Sequence, residues 1–444
     1  MNTRLVAVVV ACLGVVAPAR SSPPDSTQRA QSGPVRLNGP VLADDQGPFL
    51  GLGASLFWGV WGYDHDRARL VRHFDVLRSH GFDFVRVLGV VTGPSWSDRA
   101  ADPRAPGYDR AIVGLTDLAF EHGLRVAWTI FGDTAAVPDA ASRLSVVDRF
   151  AAMANGREEK IFSVEIANEG WQNGFGGNLG ELEDLARHLK GRTSLLIAPT
   201  SPPPPLGCGS ALTSLYGAGA ADFLTLHFDR NIASPEGSWG PVRQPLMWSS
   251  HVAACRGKLP VAAANGEPIG PQSSVVSEDD PLRVATGAVV TYTAGLPIYV
   301  LHTGPGVRGD GKADQELRRA ASLMDLPRIG ELLRAFAAMK RYLPPDLPAW
   351  SRFDASRAEG PAQIQTATPG RRPVDMAAAR RGDEFVVVPF GIRDPLALEV
   401  SAAARVEVIH PVTGARLLQQ RLARGGKTAL PPGVDALVII GRVP

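Results

Sequence analysis

The chain has 444 residues, too many for one ordinary domain and a comfortable length for two. With 45% hydrophobic and 20% charged residues it has the composition of a globular protein, which excludes general disorder. A net charge of +2, with the arginines scattered, gives no electrostatic basis for binding nucleic acid.

Residues 1–19 are expected to be a secretory signal. Arg4 supplies a positive start, Leu5 to Val16 is an apolar run too short to span a bilayer well, and Ala17-Pro18-Ala19 is a small-x-small cleavage site. Cleavage after Ala19 would give a secreted or periplasmic chain. No other stretch approaches 18 uninterrupted apolar residues, so no membrane span is expected. Cys12 would leave with the signal. Cys208 and Cys255 would remain, either bridged or as two separate buried thiols. Residues 20–45, rich in Pro, Ser, Gln and Gly, are expected to form a disordered leader.

From there to about residue 345, strand and helix signals alternate. The predicted strands are Phe49–Leu56, Phe82–Gly89, Leu124–Phe131, Ile161–Ala167, Ser194–Pro199, Asp222–Phe228, Val261–Asn265 and Pro297–Leu301. Helical spacing marks Asp66–His80, Asp109–His122, Ser145–Asn155, Leu182–Lys190, Pro281–Ala294 and Pro327–Tyr342. Gly123 follows the second of these helices as its C-cap. Eight strands interleaved with helices predict an α/β fold, a (β/α)₈ barrel over residues 46–345. After Leu343-Pro344-Pro345 the pattern changes. Short strand signals at Glu384–Phe390, Leu396–Ala402, Arg405–Ile409, Arg416–Leu422 and Ala436–Ile440, separated by turn residues, predict a small antiparallel β domain over residues 346–444.

Two strand ends carry chemistry. The fourth strand runs into Asn168-Glu169 and the seventh into Gly266-Glu267. Side chains at the carboxyl ends of barrel strands converge on one mouth. Two carboxylates placed there have the makings of retaining glycoside hydrolysis, in which one protonates the leaving oxygen and the other attacks the anomeric carbon. Other chemistries have weaker support. Gly51-Leu52-Gly53 lacks the rest of a dinucleotide fingerprint, Gly-x-Ser-x-Gly is absent, and His65 between Asp64 and Asp66 reads as a charged loop rather than a metal site.

In these motifs the barrel resembles the clan of retaining glycoside hydrolases typified by the family 5 cellulases and mannanases. Asn168-Glu169 matches the Asn-Glu ending strand four, Glu165 a glutamate often seen within it, Arg86 the strand-two arginine that supports the nucleophile, and His227 the histidine of a strand-six His-x-Tyr. Glu267-Pro268-Ile269-Gly270 resembles the strand-seven Glu-x-Gly with one residue inserted. Two positions depart from the pattern. Asp229 stands in place of the strand-six tyrosine, and strand eight ends in Leu301-His302-Thr303 where a tryptophan is usual.

The resemblance implies a glycosidase acting on a poly- or oligosaccharide, with Glu169 as acid/base, Glu267 as nucleophile, Asn168 bonding the sugar 2-hydroxyl, and Arg86 and His227 supporting the site. Arg86 reads equally as an ion-pair partner for Glu165. His302 is left open between site and scaffold. Trp171 and Trp58 are assigned to sugar stacking over core packing. Neither cofactor nor metal is expected, and a monomer is. Two alternatives use the same residues: a catalytically silent barrel that only binds glycan, and a transglycosylase.

Overall fold

The computed structural model describes residues 29–203, 210–217, 219–230, 239–255, 259–273, 276–308, 320–366 and 374–444. The expected signal segment, Cys12 and Cys208 lie outside these residues. Cys255 is buried and disulfide-bonded.

Eight parallel strands form the central sheet: β1 (Gly51–Ser55), β2 (Phe84–Val90), β3 (Arg125–Phe131), β4 (Ile161–Ala167), β5 (Ile197–Thr200), β6 (Leu224–Leu226), β7 (Ala263–Asn265) and β8 (Ile298–Leu301). Their order around the sheet is β5-β4-β3-β2-β1-β8-β7-β6. The N–H of Asp222, just before β6, donates to the Ile197 carbonyl at 2.8 Å and links the two ends. The result is the expected (β/α)₈ barrel. β2, β3 and β4 are buried along their whole length, because helices cover the outside and side chains fill the inside.

Helices follow the strands in turn: α1 (Gly59–His65) and α2 (Arg67–Ser79), α3 (Tyr108–Glu121), α4 (Ala140–Ala154), α5 (Leu179–Lys190), α6 (Ser210–Tyr216), α7 (Gly240–Ala254), α8 (Pro281–Thr293), α9 (Gly304–Val307) and α10 (Ile329–Tyr342). Their starts are chemically marked. Asp66, Asp139, Asn178 and Asp280 each accept a backbone N–H of the first turn. Past α3, Gly123 sits at φ +77°, a left-handed position that favours glycine. The signals for α1, α6, α7 and α9 were not found in the sequence. Three of these helices are only four to seven residues long, too short to set a period, and α7 carries Pro245 within it.

The expected disordered leader is corrected over its second half. Arg36–Asn38, Val41–Asp44 and Gly47–Phe49 form an antiparallel sheet of three strands. Leu42 and Phe49 pack into the cluster that fills the barrel bottom with Phe84, Phe162 and Phe223. Asp44 is fully enclosed and pairs with the equally enclosed Arg125 at 2.9 Å. Composition hid this because a few apolar residues, the ion pair to Arg125 and hydrogen bonds such as that from Arg125 to the Gly33 carbonyl at 2.8 Å do the anchoring.

The C-terminal strands form two antiparallel sheets. One has the order Ser351–Arg352, Asp375–Arg381, Glu384–Phe390, Val438–Arg442, Ala404–Ile409 and Arg416–Leu422. The other has Ala362–Thr366, Leu396–Val400 and Lys427–Ala429. In Glu384–Phe390 the side chains alternate. Val386, Val388 and Phe390 join the barrel core, whereas Phe385 and Val387 pack between the two sheets. Burial on both faces makes the strand read as a continuous apolar run. It also explains α8, which is buried nearly all round because barrel and sheet cover opposite sides. The strand Asp375–Arg381, Asp-Met-Ala-Ala-Ala-Arg-Arg, was not recognised. Its alanines favour helix locally, but they fit a sheet lying close against the barrel.

Candidate active site

Every polar residue expected at the barrel mouth arrives there. Arg86 projects from β2 and is buried. It donates to Glu267 at 3.0 Å, to Glu165 at 2.8 Å, to the Asn168 side-chain oxygen at 2.9 Å and to Thr129 at 3.2 Å. The two readings of Arg86 are therefore both met by one guanidinium. Glu165 also accepts from Thr129 and Thr225, at 2.9 and 2.5 Å. It is a fully bonded internal carboxylate that holds Arg86 in place.

Glu169 turns the chain after β4 at φ +45°, a left-handed conformation that costs a non-glycine residue energy. Gln272, at φ +52°, is another non-glycine residue in this region, and both line the same cleft. Strain gathered at one cleft marks a site held in place by its surroundings. Gln172 donates to one oxygen of Glu169. His227, just past β6, contacts the other through Nδ1 at 2.9 Å.

Glu267 follows β7. Arg86 is 3.0 Å away, Arg230 3.5 Å, and the Nε2 atoms of His227 and His302 are each 3.7 Å away. His302 is oriented by Ser55, whose hydroxyl lies 3.0 Å from Nδ1. Gly266, between β7 and Glu267, lies against the His227 ring, and a Cβ there would meet the ring at 3.2 Å. One oxygen from each of Glu169 and Glu267 and one nitrogen of His227 all lie within 4.8 Å of one another.

The electrostatics follow from these contacts. Burial pushes the Glu267 carboxyl up, but His227, His302, Arg86 and Arg230 outweigh it and hold the group well below the usual carboxylate range. Burial likewise raises Glu169, yet its hydrogen bond to His227 and that ring's charge bring it below its ordinary value. The charge of Glu267 pulls in the opposite direction. Burial pushes His302 down to about 4, so the ring is neutral near pH 7. Glu169, His227 and Glu267 could together ligate a cation. The guanidiniums of Arg86 and Arg230 already supply positive charge at Glu267, so this donor set fits a metal poorly.

The assignment of Trp58 is corrected. Trp58 is fully buried, its Nε1 donates to the Pro305 carbonyl at 2.8 Å, and Arg69 stacks on its ring at 4.2 Å. It stands at the start of α1, where the chain turns its side chain into the helical layer. Phe57, one residue earlier, faces the cleft instead and packs against His302 and Trp96. Trp171 is half-buried and is not among the described residues lining the cleft. Asp229 is exposed, and it is Arg230 that approaches Glu267. The sequence reading missed Arg230, Arg99, Asn173 and Gln272. Arg230 follows His227 by three residues, and that proximity is the one signal that could have found it.

The cleft has a volume of about 320 Å³, within the range of small-ligand sites. The sequence matches no protein-family profile and no curated protein. Solved structures do match the fold. One, described only as a glycoside hydrolase, aligns at a TM-score of 0.64 and 13% identity over 92% of this chain and 96% of that chain. A glycoside hydrolase family 5 protein from Bacteroides vulgatus aligns at 0.64 and 13%, over 92% and 93%. A family 39 glycoside hydrolase from Bacteroides cellulosilyticus aligns at 0.50 and 11%, over 90% and 86%. The chain is thus similar in fold to clan members from families 5 and 39, along nearly its whole length. At these identities the likeness is one of architecture.

Proposed function

We propose that this chain is a glycoside hydrolase that cleaves O-glycosidic bonds of a poly- or oligosaccharide with retention of configuration. The observation that carries this reading is the convergence of Glu169 and Glu267 at one barrel mouth, with an oxygen of each within 4.8 Å of the other. Retaining pairs sit about 5–5.5 Å apart, while inverting pairs leave room for a water at roughly 6.5–9.5 Å.

In the first step the Glu267 carboxylate attacks the anomeric carbon. The bond to the leaving oxygen breaks, and that oxygen takes a proton from Glu169. Sugar filling the cleft takes water from Glu169 and so favours the protonated form that this step needs. Asn168, its oxygen held by Arg86, donates to the 2-hydroxyl. In the second step Glu169 removes a proton from water, the water attacks the anomeric carbon, and Glu267 leaves as carboxylate. Forming the ester removes the charge on Glu267 that raises the Glu169 pKa. Glu169 therefore stays ionised, the form able to take a proton, at the moment it must act as base.

A panel of aryl glycosides and polysaccharides tests this, with product configuration read by NMR. Turnover with retention supports it. Turnover with inversion removes the mechanism. A second reading, a barrel that binds glycan without turnover, draws on the ionised state of Glu169 in the empty cleft. Saturable binding with no turnover on any member of the panel would favour it.

Export belongs to the same proposal. Cleavage after Ala19 would start the mature chain at Arg20, and mass spectrometry of protein recovered outside the cytoplasm would find that mass.

A further inference from the structure

One face of the C-terminal sheet carries a row of arginines. In an antiparallel pair, residues directly opposite each other point to the same face. Arg405, in the strand Ala404–Ile409, lies opposite Arg442 of Val438–Arg442 on one side and opposite Arg421 of Arg416–Leu422 on the other. Three arginines thus stand in line across three strands, whose backbones are ~4.8 Å apart. Ile440, Glu407 and Gln419 form the next row on this face. Alternation puts Arg405 and Glu407 on the same face as Ile409, and Arg442 on the same face as Val438 and Ile440. Those three apolar residues pack into the barrel core. The face that covers the barrel therefore runs on beyond it as a charged surface.

Like charges directly opposite on a sheet are destabilising, and here the compensation is thin. Among the described residues, Glu407 is the carboxylate that these arginines reach. It is buried and shared by Arg405 at 3.2 Å, Arg442 at 3.5 Å and Arg416 at 3.7 Å. Arg421 is exposed and makes no ion pair among the described residues. Four guanidiniums against one carboxylate leave the patch strongly positive. Arg405, Gln419, Gln420 and Arg421 border a cavity of about 240 Å³. Side chains of these types offer charge and hydrogen bonds rather than apolar surface, so the space suits a polar anion. Charge on an edge strand also guards it against pairing with other chains. That accounts for Arg416 and Arg421, which are on the edge, but Arg405 and Arg442 stand on interior strands.

We propose that this row is a second carbohydrate site, which holds a polysaccharide through carboxylate or sulfate groups carried on successive sugars. The choice of a polysaccharide rests on the glycosidase reading, whereas the preference for anions rests on the arginines alone. A single exposed arginine gains little from an anion in water, so the row must act together. Charge-assisted bonds from several guanidiniums should favour an anionic polymer over a neutral one by about tenfold or more.

Affinity electrophoresis of the full chain in about 50 mM salt, where screening is weak, would compare polygalacturonate and heparin with neutral galactan and mannan. Tighter binding of polygalacturonate identifies carboxylate as the preferred group, and of heparin, sulfate. Arg421→Gln breaks no ion pair and should weaken that binding roughly two- to fivefold. The triple variant Arg405→Gln, Arg421→Gln, Arg442→Gln should lose the preference. A control with the same loss of charge on the barrel, Arg104→Gln, Arg187→Gln, Arg192→Gln, should keep it. Melting curves would establish that each protein is folded. Equal binding of anionic and neutral polymers, or equal weakening in both triple variants, overturns the proposal. So does tighter binding of duplex DNA or of phosphatidylglycerol vesicles than of either anionic polysaccharide. Turnover of aryl glycosides should be the same in all these proteins. Turnover without anion preference overturns the second site and leaves the glycosidase reading intact. Anion binding lost only in the patch variants, with no turnover of any glycoside, overturns the glycosidase reading and leaves the arginine site standing.

Discussion

The Nδ1 atom of His227 lies 2.9 Å from Oε1 of Glu169, and this contact sets the protonation of the proposed acid/base. The same ring turns Nε2 toward Glu267 at 3.7 Å. One imidazole thus couples the two carboxylates whose roles must alternate. In the empty cleft it favours the ionised form of Glu169.

If Glu267 is the nucleophile, Glu267→Ala should abolish turnover of every substrate, because no covalent intermediate can form. Glu169→Ala should be selective. Glycosides with poor leaving groups should lose about 10²- to 10⁴-fold, the usual worth of a positioned acid. Activated aryl glycosides should still form the intermediate and then stall for want of a base. Azide needs no base, so it should restore turnover and yield a glycosyl azide of retained configuration. Azide rescue of Glu267→Ala with a retained product, and of Glu169→Ala with an inverted one, would exchange the two roles.

Arg86 is a stability element as well as a site residue. Arg86→Met leaves Glu165 and Glu267 buried and deprived of their shared cation. Breaking a buried pair by removing one partner costs about 3–5 kcal/mol. The unfolding midpoint in urea should fall accordingly. Arg86→Lys should rescue little, because one ammonium cannot reach Thr129, Glu165, Asn168 and Glu267 together. An unchanged midpoint in Arg86→Met would show that the buried network does not hold the mouth together.

Trp58 and Trp96 should behave oppositely. Trp58→Ala removes a fully buried ring and should cost about 3–5 kcal/mol of stability, with little change in KM for the protein that folds. Trp96 lines the cleft. Trp96→Ala should leave the melting temperature nearly unchanged and raise KM, as expected for a lost sugar-stacking face. Steady-state kinetics beside thermal melts would separate the two, and a raised KM in Trp58→Ala alone would reverse the assignment.

Stability should depend on pH through two histidines. Burial pushes His73 down to about 4 and His302 to about 4, from an ordinary 6.5. Between those values the unfolded chain binds protons that the folded chain does not. Stability therefore rises with pH across this window and falls as pH drops from about 6.5 toward about 4. Glu267 acts in the same direction over a lower window: its pKa is depressed, so its contribution is complete above the ordinary carboxylate range and is lost progressively as pH falls through and below it. His73 donates through Nδ1 to the Arg69 carbonyl at 2.8 Å and accepts at Nε2 from the Leu323 N–H at 3.2 Å, away from the cleft. His73→Gln should flatten the slope of melting temperature against pH while leaving turnover unaffected. A slope unchanged in this variant would place the titration elsewhere.

Sequence alone was enough for the barrel and for the placement of its two carboxylates. Strands such as Ile161–Ala167 are short, apolar and bounded by turns, and alternation with helices forces them parallel. Once parallel, their carboxyl ends share one face, so Glu169, Glu267, Arg86 and His227 could be brought together before any coordinates existed. What required tertiary structure was the direction of individual side chains and the use of weak segments. Phe57 and Trp58 are adjacent and chemically alike, and only the turn into α1 decides which one faces the cleft. Asp229 holds the tyrosine's place in the sequence, yet it is exposed and Arg230 approaches Glu267 instead, because β6 ends at Leu226 and the loop after it sets both directions. The strand Asp375–Arg381 and the sheet at Arg36–Asp44 run against their own composition. Their conformations are set by partners far away in sequence, the first by the barrel face around α8 and the second by Arg125 and the aromatic floor of the barrel, and such contacts leave no local trace to read.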